Sequence, residues 1–315
     1  MTVECMIDGQ SYRIDFRQGR SIAIPLRFGG AQPNSYDVPA ANARAYEDGV
    51  FIGDTRRGGS CNFDVVTLIP HCNGTHTECV GHISRERISI EQILQPALSP
   101  ATLLSVTPVD ARSSGEHYEP AADDGDLFIT ADSIRKGLLA TPVTTENQRE
   151  SSGTETVASA SIDAKQIPAG GESRTRAAQA APALGSEFMQ ALILRTTPNT
   201  TEKISRRYTT DAAPFFSLEA IDLIRTMGVR HLLVDIPSLD RAFDQGIMAA
   251  HHLFWDVPYG SNDVPNAQAS PATVTEMIFV PDDIPDGCYI LDIQIAAFVS
   301  DAAPSRPILY PLTLT

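Results

Sequence analysis

The stretch from His71 to His82, His-Cys-Asn-Gly-Thr-His-Thr-Glu-Cys-Val-Gly-His, constrains this chain more than any other. Six side chains able to bind a metal (His71, Cys72, His76, Glu78, Cys79 and His82) stand within twelve residues, in a chain with only seven histidines. Zinc and manganese accept imidazole nitrogen and carboxylate oxygen, and zinc also accepts thiolate sulfur. Cys72, His76, Glu78 and His82 all carry even numbers. Wherever the backbone is extended, side chains two apart point the same way, so His76 and Glu78 converge on a strand. Gly74-Thr75 permits the turn that brings Cys72 or His71 round to the same point. Cys79 then falls on the opposite face, in the core. The pattern is neither a zinc finger, which needs paired Cys-x-x-Cys, nor His-Glu-x-x-His.

With 315 residues, 42% of them apolar, the chain can bury a core for one large domain or two small ones. Its formal net charge of -15 repels phosphate backbones and anionic membranes, which excludes nucleic acid as an expected partner and leaves a small molecule. No apolar run approaches the roughly 20 residues of a membrane helix. The first residues lack a basic n-region followed by an apolar stretch, so no signal peptide is expected. The five cysteines form no disulfide framework, and a reducing, cytoplasmic setting is expected.

The first third reads as strands and turns. Asp8-Gly9 between apolar stretches at 3–7 and 11–16 predicts a hairpin. Further strands are expected over 21–26, 49–53, 63–69 and 103–109, with a short helix from 88 to 94. A helix over 132–139 takes Asp132 or Ser133 as its cap. Residues 144–184 are rich in Ser, Thr, Ala, Gly, Gln and Glu, and read as a low-complexity insertion within one domain spanning 1–315. A buried strand over 189–196, a helix over 217–227 and a strand over 229–236 predict a βαβ unit. Late strands follow over 273–280 and 288–298.

The run Gly74-Thr75-His76-Thr77-Glu78, followed by His82, resembles the cyclase-like hydrolase family that includes bacterial kynurenine formamidase and isatin hydrolase. That family's motif reads His-x-Gly-Thr-His-x-Asp-x-Pro-x-His. His76 stands at its second histidine, Glu78 at its aspartate and His82 at its last histidine. Cys72 falls at the first histidine, with His71 displaced by one, and Val80 replaces the proline. Gly228 to Asp240 resembles the family's Gly-Val-x(5)-Asp-x-Pro-Ser-x-Asp. His251, favoured over His252 because His-x-x-Phe-Trp fits better, and Glu276 resemble its later ligands. The resemblance runs from about 15 to 313, apart from the insertion.

The resemblance implies a strand-rich α/β domain with the swivelling β/β/α fold. It also implies a divalent metal, zinc or manganese, held by Cys72, His76, Glu78, His251 and Glu276. His82 is the expected catalytic residue, shuttling a proton to the leaving nitrogen. The implied activity is arylformamidase-like hydrolysis of an amide or cyclic amide, with N-formylkynurenine the reference substrate of tryptophan breakdown. A lactonase, a polyketide-type cyclase or a binder without turnover are the rivals. A homodimer or homotetramer is implied. Asp235 and Asp240 are candidate orienting groups. His231 is expected mid-strand, His117 exposed, and Phe215, Phe216, Phe254 and Trp255 in the core or lining an aromatic pocket.

Overall fold

The computed structural model describes residues 1–141, 186–209 and 212–315. The 144–184 insertion expected from composition lies outside the described residues. Ten strands build the main ladder: β1 (Thr2–Ile7), β2 (Gln10–Asp15), β3 (His76–Cys79), β4 (Leu98–Val106), β5 (Ala191–Thr196), β6 (His231–Val234), β7 (Thr273–Glu276), β8 (Gly287–Asp292), β9 (Ala302–Pro304) and β10 (Ile308–Leu314). Their spatial order is β1-β2-β10-β8-β4-β5-β6-β7-β3-β9, with the short strand Arg20–Ser21 pairing with β10. Strands β4, β5, β6 and β7 run parallel, while β3 and β9 add antiparallel strands at the far edge. This is the strand-rich α/β class expected from the sequence.

Alternation explains why the centre of the sheet is buried on both faces. Leu192 and Leu194 of β5 pack with Leu232 and Val234 of β6 in one core. Ala191 and Ile193 pack with Leu233, Leu103 and Leu291 in the other. Four helical elements matter for the site: the single turn α1 (Pro70–Asn73), α2 (Ala131–Ala140), α3 (Leu218–Thr226) and α4 (Ala249–Phe254). Strand β5, helix α3 and the adjacent parallel strand β6 form the expected βαβ unit. Ser217 caps α3 by accepting from the Ala220 amide at 3.1 Å.

Several boundaries differ from the sequence pattern for local reasons. The cap of α2 is Thr130, which exchanges hydrogen bonds with Ser133 in a reciprocal box. The strand expected over 21–26 stops early. The Ile24 amide donates to Thr75 Oγ1 at 2.9 Å instead of to a ladder, and Pro25 follows. Strand β7 ends at Glu276 because Met277 adopts φ 53°, a left-handed turn held by its amide bonding Ile236 O at 3.0 Å.

A buried ion pair secures the loop that leaves β6. Lys203 and Asp235, both almost inaccessible, meet at 2.8 Å, and Lys203 Nζ also donates to Thr196 O at 2.6 Å. Asp235 in turn accepts from the Thr196 amide and hydroxyl. Replacing Lys203 with methionine leaves a buried carboxylate without its cation. The Lys203→Met protein is expected to lose about 3–5 kcal/mol of unfolding free energy. Urea denaturation measures it, and a loss below about 1 kcal/mol would contradict the pair's structural role.

Candidate metal centre

The register of β3 and β7 builds the centre's inner half. Glu276 lies directly opposite His76, and Glu78, two residues further along β3, shares the face of His76. His76 Nε2 comes within 3.5 Å of Glu276 Oε2 and 3.8 Å of Glu78 Oε2. Helix α4 brings His251 to the same point, its Nε2 lying 2.9 Å from Glu78 Oε1 and 3.6 Å from Glu276 Oε1. His252 turns away, its Nδ1 facing Val257 O at 3.3 Å. All four of these converging side chains are buried.

Asp240 aims His251. Its carboxylate accepts from the Ala250 amide at 2.6 Å and the His251 amide at 3.2 Å, capping the start of α4. It also lies 2.5 Å from His251 Nδ1 and accepts from Tyr118 Oη at 2.7 Å. A carboxylate on Nδ1 fixes the proton there and directs Nε2 inward. Gly74 O, 3.0 Å from His76 Nδ1, does the same for His76, because a carbonyl can only accept. Glu276 is steadied by the Leu239 amide, which donates to Oε1 at 3.0 Å.

The outer half departs from the expected ligand set at one position, where the sequence allowed Cys72 or His71. Cys72 is not among the described side chains whose donor atoms gather there; His71 is, with Glu78 and His82. The parity argument assumed extended backbone, but Pro70–Asn73 is a helical turn, which rotates His71 rather than Cys72 towards Glu78. Burial, then the charge of Glu276, pushes the Cys72 thiol up to about 11. His82 closes a 3-10 turn, Val80–His82, and swings back towards Glu78, with Nε2 4.0 Å from Oε2. His71 Nε2 lies 3.5 Å from the same oxygen, and the two rings stack at 4.3 Å.

Other residues take structural places. Cys79 is in the core, and burial pushes its thiol up to about 12. His231 sits mid-strand against Thr273 Oγ1 at 2.8 Å. His117 is exposed and paired with Glu219. Phe215, Phe216 and Phe254 are core residues, and Trp255 packs 5.1 Å from the His251 ring. Sequence reasoning missed Asp301, whose Oδ2 lies 2.9 Å from His71 Nε2 and 3.4 Å from His82 Nδ1. It also missed Tyr36 and Phe243, an exposed edge-to-face pair with centroids 6.4 Å apart. Burial, then the charges of Glu276, Asp244 and Asp240, push the Tyr36 phenol up to about 12.

The donors fit divalent cations. His71 Nε2 and His76 Nε2 are both buried atoms without a hydrogen-bond partner. Four carboxylates, Glu78, Glu276, Asp240 and Asp301, surround four imidazoles. Burial opposes charge on His76, but Glu276 and Glu78 outweigh it and push the ring up to about 10. Burial likewise opposes charge on His251, and Asp240 and Glu78 raise it well above the usual value. Burial would raise Glu78, yet His82, His251 and His76 hold it well below the carboxylate range. Protons on the imidazoles thus occupy the place that divalent cations would fill.

A family model described as putative cyclase matches residues 21–241. No curated protein matches the chain. Among solved structures the fold is similar to a predicted metal-dependent hydrolase from Bacillus stearothermophilus, at 13% identity and a TM-score of 0.50, over 93% of this chain and 97% of that one. It is similar to an isatin hydrolase bound to the product analogue thioisatinate, at 13% identity and 0.51, over 95% and 94%. It is also similar to a novel cyclase, at 12% identity and 0.52, over 94% and 89%. At such identities the likeness is one of fold, and it agrees with the β/β/α architecture expected above. Among the described residues, no helix is long and apolar enough to cross a membrane.

Because a cation must displace protons held by raised imidazoles, its binding is expected to release at least one proton per ion between pH 6 and 9. Apparent affinity should therefore rise with pH, about tenfold per unit for each proton displaced. Calorimetric titration of the metal-free protein with zinc or manganese, in buffers of different ionisation enthalpy, measures this. Affinity independent of pH would contradict it.

Proposed function

The chain belongs to the putative cyclase family, and we propose that it is a metal-dependent hydrolase of an amide or cyclic amide, arylformamidase-like in substrate class. The observation that carries this reading is the convergence of His71, His76, His82 and His251 on the two oxygens of one buried carboxylate, Glu78. His71, His76 and Glu78 Oε2 would hold one divalent ion. Glu78 Oε1, His251 and Glu276 would hold a second. Imidazole and carboxylate without thiolate suit zinc or manganese. When bound, such ions supply Lewis acidity and an acidified water near neutral pH.

The chain's own residues do the rest. Asp240 orients His251, and Gly74 O orients His76. His82, 28% exposed and lying beside Glu78 without being enclosed by it, carries a proton between solvent and the leaving nitrogen at Nε2. Burial lowers its affinity for that proton, while Glu78 and Asp301 raise it, and the net direction is upward. An imidazole that holds its proton near neutrality is suited to give it to a departing amine. The fold's likeness to an isatin hydrolase supports a cyclic amide, and the motif resemblance supports N-formylkynurenine. The partner is then a small molecule, and the working form a cytoplasmic homodimer or homotetramer, as the family resemblance implies.

Metal-loaded protein is expected to hydrolyse N-formylkynurenine or isatin, followed by the change in ultraviolet absorbance. His82→Ala is expected to lower kcat by about 10²–10⁴-fold while metal content is retained. Equal rates would remove His82 from the chemistry. Absence of turnover of any formamide or cyclic amide, with lactones hydrolysed instead, would reassign the substrate class; absence of all turnover by the loaded protein would overturn the hydrolase.

A further inference from the structure

His251 is aimed by Asp240, and Asp240 is itself held from the far side. Its Oδ2 faces His251 Nδ1 at 2.5 Å. Its Oδ1 accepts from the Ala250 amide at 2.6 Å and from Tyr118 Oη at 2.7 Å. Tyr118 Oη accepts in turn from the Arg241 amide at 3.2 Å. An amide nitrogen can only donate, so the phenolic proton is left for a carboxylate. Asp240 Oδ1 is the nearer one, since Asp244 Oδ2 lies 3.5 Å away. Asp244 is also engaged elsewhere, accepting from the Met248 amide at 2.5 Å and the Gly246 amide at 2.9 Å where the chain enters α4.

Tyr118 has little freedom of its own. It is buried, and its ring meets Phe215 edge-to-face with centroids 4.8 Å apart. The two residues before it are pinned to the starts of two helices. Glu116 accepts from the Ala131 amide at 2.9 Å and the Asp132 amide at 3.3 Å at the start of α2, and from the Ser217 hydroxyl that caps α3. The Leu218 amide donates to His117 O at 2.8 Å, and the His117 amide donates to Glu219 at 2.8 Å. An unbroken run of polar contacts therefore passes from α2 and α3 through Tyr118 and Asp240 to His251, whose Nε2 lies 2.9 Å from Glu78 Oε1. A ligating imidazole takes its direction from the group on its other nitrogen. In a buried network that group's position depends on its remaining donors.

We propose that Tyr118 is a positioning residue of the metal centre: its hydroxyl sets the Asp240 carboxylate, and through it the direction in which His251 presents Nε2 to the inner ion. Tyr118 acts through Asp240 rather than on an ion or a substrate. The proposal rests on the metal-dependent reading above, and its test separates the two.

The experiment is calorimetric titration of the metal-free full chain with zinc and with cobalt, for wild type, Tyr118→Phe, Asp240→Asn and the double variant. Cobalt absorption spectra and thermal melts are recorded for each. Tyr118→Phe keeps the ring on Phe215, so folding should survive. It is expected to bind the inner ion about 3–10-fold more weakly, with altered cobalt bands, against roughly 10–100-fold for Asp240→Asn. The double variant should bind no more weakly than Asp240→Asn, because the hydroxyl acts through that carboxylate. Tyr289→Phe is the control. It loses a 2.6 Å bond to Pro285 O in β8, with β4, β5 and β6 between it and β7, and should keep wild-type affinity and bands. Wild-type affinity and bands in Tyr118→Phe, or additive losses in the double variant, would overturn the proposal and leave the hydrolase reading standing. Equal weakening of both ions with unchanged bands would mark a general loss of stability and also overturn it. A wild-type protein that takes up neither metal would overturn both readings. Should Tyr118→Phe fail to fold, a crystal of zinc-loaded wild type decides. Tyr118 Oη within about 2.5–3.0 Å of Asp240, with His251 on an ion, supports the assignment, and a hydroxyl turned away from Asp240 or a His251 off the ion overturns it.

Discussion

Glu78 is a buried anion with both oxygens in use, and the rest of the centre answers that constraint. A carboxylate removed from water is tolerated only when positive or donating groups replace its hydration. Oε1 faces His251, and Oε2 faces His71, His76 and His82. Of these rings, β3 places only His76. The β3–β7 register supplies Glu276, the turn before β3 supplies His71, and α4 supplies His251. Asp240 couples the last of these to the core, since one carboxylate caps α4, fixes the ring and binds Tyr118.

The site stands where the parallel strands end, the usual place for chemistry in a parallel sheet. Thr196 closes β5, Asp235 follows β6 and Glu276 closes β7. Small devices set the endings. The left-handed Met277 turns the chain straight after Glu276, so its carboxylate meets the Leu239 amide. Thr75 Oγ1 donates to Met277 O at 2.5 Å and accepts from the Ile24 amide, tying the entrance of β3 to the exit of β7. The Lys203–Asp235 pair holds the loop that carries Leu239 and Asp240. Rigidity here comes from polar groups saturated within the protein, which is costly to assemble but specific once made.

How far the sequence could be read depended on backbone regularity. His76 and Glu78 were legible because β3 is extended and period two applies. The βαβ unit was legible from a buried strand, a capped helix and a glycine stop. Cys72 was misplaced because parity fails in a helical turn, and a proline at the first position of such a turn was the signal that could have shown it. Asp240 could be proposed from the Pro-Ser-x-Asp text, yet its hold on His251 depends on a distant helix start. Asp301 had no local signal at all, since its place beside His71 and His82 comes from the β9–β3 pairing and the space above Gly81. Tyr36 and Phe243 meet from loops that no periodicity describes.

Two of the three departures from the family motif, those at 72 and 78, offset each other physically. Moving the first imidazole from 72 to 71 places it on another side of the α1 turn, where it stacks on His82. A shorter aspartate at 78 would withdraw its carboxylate by roughly one carbon–carbon bond, about 1.5 Å. His71 and His76 already stand 3.5 and 3.8 Å from Oε2, so that retreat would open both contacts beyond any shared ion. On the other side, it would break the 2.9 Å contact with His251, whose position Asp240 fixes. The longer Glu78 spans the gap between an imidazole displaced in sequence and one clamped by a helix. Substitution at either position alone would strand the other, which is why the pair is read as one adaptation of the centre.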